Sequence, residues 1–190
     1  MALPVLQVII GSTRPGRIGD RVAAWAAVQA EAHGGFEVEI LDLAEIGLPL
    51  YDEPNHPMLA SYVHDHTKQW SETIARGDAY VLVCPEYNHG MNAALKNALD
   101  FLYHEWQRKA VAFVSYGGVS AGTRAVQQLR QVTAALRMVA IVESIHLSFP
   151  SAHLAEDGTF APGAAAETAA KAMFDEVERW TTATATMRKG

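Results

Sequence analysis

The chain has 190 residues, 49% apolar and 19% charged, a balance ordinary for one folded domain with a sizeable core. A net charge of −6 with no long basic run argues against nucleic acid or anionic membrane as the main partner, since both recognise clustered Lys and Arg. One cysteine, Cys84, rules out an intramolecular disulfide, and no apolar run approaches the roughly 20 residues of a membrane span, so a cytoplasmic protein is expected.

Met1-Ala2-Leu3-Pro4 carries no basic segment before its apolar run and reads as the approach to a strand, not as a signal peptide. The run Val5 to Ile10 predicts a first strand buried on both faces. A loop from Gly11 to Ile18 leads into a helix ending near His33, where Gly34-Gly35 stop it. Phe36, Val38 and Ile40 alternate with Glu37 and Glu39, predicting a second strand with one wetter face. A proline-bearing loop (Pro49, Pro54, Pro57) precedes a helix from about Ser61 to Arg76. Tyr80 to Cys84 is the third predicted strand.

Leu95, Ala98, Leu99 and Leu102 stripe a third helix, and Ala110 to Ser115 is a fourth strand. Ala125, Leu129, Val132 and Leu136 stripe a fourth helix. Val139 to Leu147 is a fifth strand with room for a bend, and a last helix starts near Ala164, with fraying expected over Met187 to Gly190. Continuous apolar strands alternating with amphipathic helices specify an α/β fold: a parallel sheet covered on both faces, doubly wound into three layers as one domain over 1–190.

Ligands of such sheets bind outside the carboxyl ends of the strands. Three loops stand there. Gly11-Ser12-Thr13-Arg14-Pro15-Gly16-Arg17-Ile18-Gly19 brings hydroxyls and guanidinium groups to a helix N-terminus, which suits a phosphate. It is neither a Walker A loop nor Gly-x-Gly-x-x-Gly, and the alternative is a tight turn with solvated arginines. Pro85-Glu86-Tyr87-Asn88-His89-Gly90-Met91 can lay backbone and Tyr87 against a flat ring, or merely cap the next helix through Asn88. Ser115-Tyr116-Gly117-Gly118-Val119-Ser120-Ala121-Gly122 pairs glycines that allow close backbone approach. Its Gly118-to-Gly122 stretch also matches the Gly-x-Ser-x-Gly elbow of serine hydrolases. A Ser120 triad would need Glu143 followed by His146 or His153, a strained order.

Together these loops, with Ala94-Leu95-Lys96-Asn97-Ala98-Leu99-Asp100, resemble the NADPH-dependent FMN reductase family over nearly the whole chain. The resemblance implies a flavodoxin-like five-stranded sheet in the order 2-1-3-4-5. It implies bound FMN, with Ser12, Thr13, Arg14, Arg17 and Ile18 about the phosphate. Pro85, Glu86, Tyr87 and Asn88 would line the isoalloxazine, and Ser115, Gly117 and Gly118 would face its pyrimidine edge. Relatives often carry serine and asparagine where this chain has Arg17 and Gly19, so Arg17 would contact either phosphate or NADPH.

The implied reaction is ping-pong: hydride passes from NADPH, or NADH, to flavin N5 and on to a small-molecule acceptor such as a quinone, free flavin, azo compound or metal oxyanion. No protein acid–base pair is required, because the cofactor carries the chemistry. A homodimer or homotetramer is implied, with Lys96 and Asp100 pairing within their helix or across a two-fold axis. The rival from another class is a flavodoxin-type electron carrier, which tends to be more acidic than this chain.

Other residues invite plainer readings. Cys84 reads as a small buried residue, and Trp70 and Trp180 as core or interface fillers. His64 and His66, two apart on a predicted helix, do not share a face, so no metal site is expected. Tyr51 and Asp52 are candidates for reaching a partner subunit's acceptor pocket.

Overall fold

The computed structural model describes residues 2–188. Its elements are β1 (Val5–Ile10), α1 (Gly19–His33), β2 (Glu37–Asp42), α2 (Leu43–Ile46), α3 (Asp65–Arg76), β3 (Ala79–Tyr87), β4 (Gly90–Met91), α4 (Ala93–Asp100), β5 (Ala110–Gly117), α5 (Thr123–Ala135), β6 (Val139–Ser148) and α6 (Ala164–Arg188). Five strands form a parallel sheet in the order β2-β1-β3-β5-β6. That is the expected order 2-1-3-4-5, and the chain therefore reverses direction across the sheet between β1 and β3.

The sixth strand corrects the expected five. Two-residue β4 pairs back on the end of β3, Tyr87 opposite Gly90, around a turn at Asn88 (φ +49°) and His89 (φ +68°). Two successive positive-φ residues match the twist of a tight hairpin, and asparagine tolerates that region better than most side chains. Asn88 is thus a turn residue and does not cap the next helix; Asn92 stands at that N-cap.

Alternation along the strands splits the core in two. Val8, Ile10, Val81, Val83, Ala112 and Val114 face α1 and α6. Ile9, Tyr80, Leu82, Cys84, Val111 and Phe113 face α3, α4 and α5. Trp70 is buried there, its indole N–H donating to the Ala98 carbonyl at 2.9 Å, while Trp180 is 43% exposed. Cys84 is fully buried, and burial pushes its thiol up to about 12, with Glu86 adding to the shift; it is inert packing.

Buried Gln7 is a polar exception in β1. Its amide donates to Glu39 and to the Thr73 carbonyl, both at 2.7 Å, which ties β1 to β2 and α3. The expected bend in the fifth main strand is real. Between Ala140 and Ser144, β6 carries three residues against the single Ala112 of β5. Arg130 donates to the freed carbonyls of Ile141 and Val142, at 2.8 and 3.1 Å, satisfying what the ladder cannot.

Two boundaries move. The helix expected from Ser61 begins at Asp65, because His64 is extended at its N-cap. The helical-face rule therefore does not separate His64 from His66, whose rings stack 5.2 Å apart, and His66 also meets Asp52 at 3.0 Å. At the C-terminus, α6 continues through Met187 and Arg188, with Arg188 on Asp78 at 2.8 Å. Lys189 and Gly190, included in the expected fraying, lie outside the described residues.

Candidate functional site

The carboxyl ends of β1, β3 and β5 are neighbours, so the three loops that follow them meet at one edge of the sheet. Each pair of loops is joined by named side chains. Ser12, 1% exposed, holds its hydroxyl 3.1 Å from that of Tyr87, joining the first loop to the second. Behind them, buried Asn92 donates to the Gly11 carbonyl and fixes where the first loop leaves β1.

Glu86 joins the second loop to the third. Its side chain is 5% exposed and accepts from Ser120 Oγ at 2.8 Å, from Arg124 Nε at 2.6 Å and from the Arg124 backbone N–H at 3.2 Å. Burial alone would raise the Glu86 carboxyl; the bonds from Arg124 and Ser120 outweigh it and leave it below the ordinary glutamate value. This carboxylate braces two loops and is not free for a ligand, so any ligand contact at Glu86 falls to its backbone.

The sign of its pH dependence follows. A carboxyl whose folded pKa is depressed contributes stability that is present above the ordinary glutamate value and lost as pH falls through the folded one. Glu86→Gln should therefore lower stability by about 1–2 kcal/mol at neutral pH, a figure held down because Arg124 is half exposed. Thermal melts should show the gap to wild type closing as pH falls below about 4. A gap that persisted unchanged to pH 3 would remove the ion pair from the explanation.

Tyr116 joins the third loop to the first. It is 5% exposed and reaches from β5 across β3 to the start of α1, where a Cβ on Gly19 would lie 2.4 Å from its hydroxyl and 3.4 Å from Ser12 Cβ. That hydroxyl has no hydrogen-bond partner.

Inside the third loop, Ser115 is fully buried, and its hydroxyl donates to the Ala121 carbonyl at 2.8 Å and meets His146 Nδ1 at 2.7 Å. Its single hydrogen being given to Ala121, it accepts from His146. Burial, then the nearby Arg130 charge, lower the His146 pKa and favour the neutral ring. Ser115 thus shapes the turn from within. Gly117 carries no positive φ and sits tightly against Gly122 and Glu86, whereas a Cβ on Gly118 would meet open space.

The remaining expected residues divide. Arg14 has no ion-pair partner among the described residues, while Arg17 is paired with Asp42 at the end of β2. Ile18 stands at the N-cap of α1 and packs against the core on the α1 side. The N-cap residue makes no side-chain bond to that helix, and Asp20 takes only the Arg21 N–H, at 2.9 Å, which leaves the N–H groups of Gly19 and Asp20 for a ligand. Thr13 does not join Ser12; it lines a hollow of about 390 Å³ with Leu43, Ala93, Ala94 and Asn97. Pro85 is buried at the end of β3, and Tyr87 is 40% exposed.

Tyr116, Asn92, Arg124 and Gly19 were not among the expected site residues. Tyr116 had a legible signal: it shares strand parity with Ala112 and Val114, the face that looks toward α1. The serine-hydrolase alternative fails on geometry. Ser120 bonds Glu86 and Arg124, His146 belongs to Ser115, and His153 sits on the Ser148 carbonyl at 3.2 Å. Lys96 and Asp100 pair within α4 at 2.5 Å. Tyr51 gives its hydroxyl to the Asn55 carbonyl and lines, with His56, Asp100 and Tyr103, a surface groove of about 600 Å³.

Residues 5–153 match the family described as NADPH-dependent FMN reductase. The chain is 42% identical over 137 residues to an NAD(P)H-dependent FMN reductase of Schizosaccharomyces pombe, covering 71% of this chain and 68% of that one. It is 31% identical over 147 residues to a 2-hydroxy-1,4-benzoquinone reductase of a Burkholderia species, covering 73% and 74%. Its fold is that of FerB, a flavoenzyme NAD(P)H:(acceptor) oxidoreductase of Paracoccus denitrificans, with a TM-score of 0.74 at 21% identity over 96% of this chain and 99% of that one. With three loops converging at the switch of strand order and 149 consecutive residues matched, the chain belongs to the NADPH-dependent FMN reductase family.

Proposed function

We propose that the protein is an FMN-dependent NAD(P)H oxidoreductase working on a small-molecule acceptor of the quinone class, with its cofactor seated on the three joined loops. The observation that carries this reading is the start of α1. The N-terminus of α1, buried Ser12 and the partnerless Tyr116 hydroxyl meet at Gly19, and the loop leading into them carries Arg14, exposed and without an ion-pair partner among the described residues. Those groups are donors and a cation, and what they lack is a multiply accepting anion, which a phosphate monoester supplies.

Bound FMN would supply the redox chemistry, taking hydride from NAD(P)H and delivering it to the acceptor. The chain's own groups bind and orient. Ser12, Arg14 and the first N–H groups of α1 hold the phosphate. The backbone of Pro85 to Asn88 and the Gly117-Gly118 turn border the ring, with Tyr87 at its edge. Glu86, Ser120 and Arg124 keep those two borders at a fixed spacing. We place the protein in the cytoplasm as one flavodoxin-like domain over 1–190, assembled as a homodimer or homotetramer. No helix among the described residues is long and apolar enough to cross a membrane. Exposed Leu50, Met58, Leu59 and Val63, all between α2 and α3, supply apolar surface for such an assembly.

The deciding experiment is the visible spectrum of the purified protein, identification of released cofactor by mass, and anaerobic reduction by NADPH and by NADH. A yellow protein bleached by either nucleotide and reoxidised by a quinone supports the reading. A protein that binds no added FMN and oxidises no NAD(P)H overturns it. Turnover without a separate reductase separates an enzyme from an electron carrier.

The two arginines should separate in the same assay. Arg14→Ala should raise the FMN dissociation constant roughly 10- to 100-fold, the value of one charge-assisted bond. Arg17→Ala should cost tenfold or less, because Asp42 already occupies that guanidinium. Equal losses would mean that Arg17 leaves Asp42 when phosphate arrives.

A further inference from the structure

We propose that Tyr116, a residue of β5 outside the phosphate loop, donates its hydroxyl to the phosphate of the bound flavin nucleotide and so makes the site select FMN over riboflavin. The inference deepens the FMN reading above and rests on it.

Three observations converge. First, the hydroxyl is buried without a partner. A buried unpaired hydroxyl is disfavoured, and phenylalanine would fill the same space without that cost. Second, it lies against Gly19, the first residue of α1, where the backbone N–H groups lack a cap. Only a glycine leaves it room there. Third, Ser12, the hydroxyl beside it, is turned to Tyr87 at 3.1 Å and forms no hydrogen bond with Tyr116. The Tyr116 hydrogen is therefore open to an acceptor from outside the protein. The adjoining N–H groups need one too, so the acceptor must carry several lone-pair oxygens at once. Burial keeps the phenol protonated far above neutral pH, so it acts as a donor throughout the working range. A phosphate monoester meets these demands, and the bare hydroxyl end of riboflavin's ribityl chain does not.

The test is Tyr116→Phe, with FMN and riboflavin titrated separately into apoprotein by flavin fluorescence and the apoprotein melted alongside. The dissociation constant for FMN should rise about 10-fold or more, the value of a hydrogen bond to a charged group. That for riboflavin should not change, and the apoprotein should melt at the same temperature or higher, because only an unsatisfied hydroxyl has been removed. The melting shift produced by saturating FMN should shrink. Equal weakening of both flavins would assign Tyr116 to loop shape, and unchanged FMN affinity would show no contact; either overturns the proposal. An apoprotein variant that melts well below wild type overturns it as well, since the hydroxyl would then be serving the protein itself. Wild type that binds neither flavin would instead overturn the FMN reading beneath it.

Discussion

A Gly122→Ala variant should be about 3 kcal/mol less stable than wild type, a fall of roughly 6–12 °C in melting temperature for a chain of this size. Gly122 sits at φ +83°, in the left-handed region, which costs a side-chain-bearing residue about 1 kcal/mol. A Cβ there would also stand 2.7 Å from Ser115 Cβ and 2.8 Å from the Tyr116 backbone nitrogen. Neither atom can give way, because Ser115 and Tyr116 are paired in register with Cys84 and Pro85 on one side and His146 and Leu147 on the other. Overpacking adds about 1–3 kcal/mol to the conformational cost. A calorimetric melt checks it, and a drop under about 3 °C would show the turn to be pliant.

Gly19→Ala should act the other way round, on binding more than on folding. Its φ is ordinary, and alanine favours a helix over glycine by nearly 1 kcal/mol, which offsets part of the ~1–3 kcal/mol of crowding against the buried Tyr116 ring, so the apoprotein should melt a few degrees below wild type. The added methyl, however, would occupy the space 2.4 Å from the Tyr116 hydroxyl, where the proposed phosphate meets the helix. FMN affinity should fall about 100-fold, equivalent to about 2.7 kcal/mol. Fluorescence titration measures it; wild-type affinity would place the phosphate elsewhere.

The architecture was open to reading because strands and helices announce themselves by period. Val5–Ile10 and Ala110–Ser115 are apolar on both faces, and the helices carry their stripes, so the layers and their order follow. The positions of the loops followed as well, since the switch in strand order determines them. What each loop residue does was less legible. Pro85-Glu86-Tyr87 looks like loop chemistry, yet it continues β3 because the hairpin turn comes later, at Asn88-His89. Ser115 and Glu86 look like ligands by residue type, yet their polar atoms are used within the protein. Partnerships across more than 30 residues of sequence, such as Glu86 with Arg124, leave no local pattern. Thr13 and Arg17 illustrate the same limit: neighbours in the loop, they turn toward α4 and toward β2.

The closed ring of contacts Ser12–Tyr87, Glu86–Arg124 and Tyr116–Gly19 has a kinetic consequence. Loops that fold around an incoming ligand lose chain freedom at the moment of association. Here that loss falls at folding, since each loop is already tethered to the other two. Flavin uptake should then proceed as encounter with a finished mouth, with a rate that tracks flavin concentration without a plateau. The bonded loop amides, such as Gly11 on the Val83 carbonyl and Ala121 on the Gly118 carbonyl, should be slow to exchange with deuterium before any flavin is added, while the partnerless N–H groups at the start of α1 should slow only when it binds.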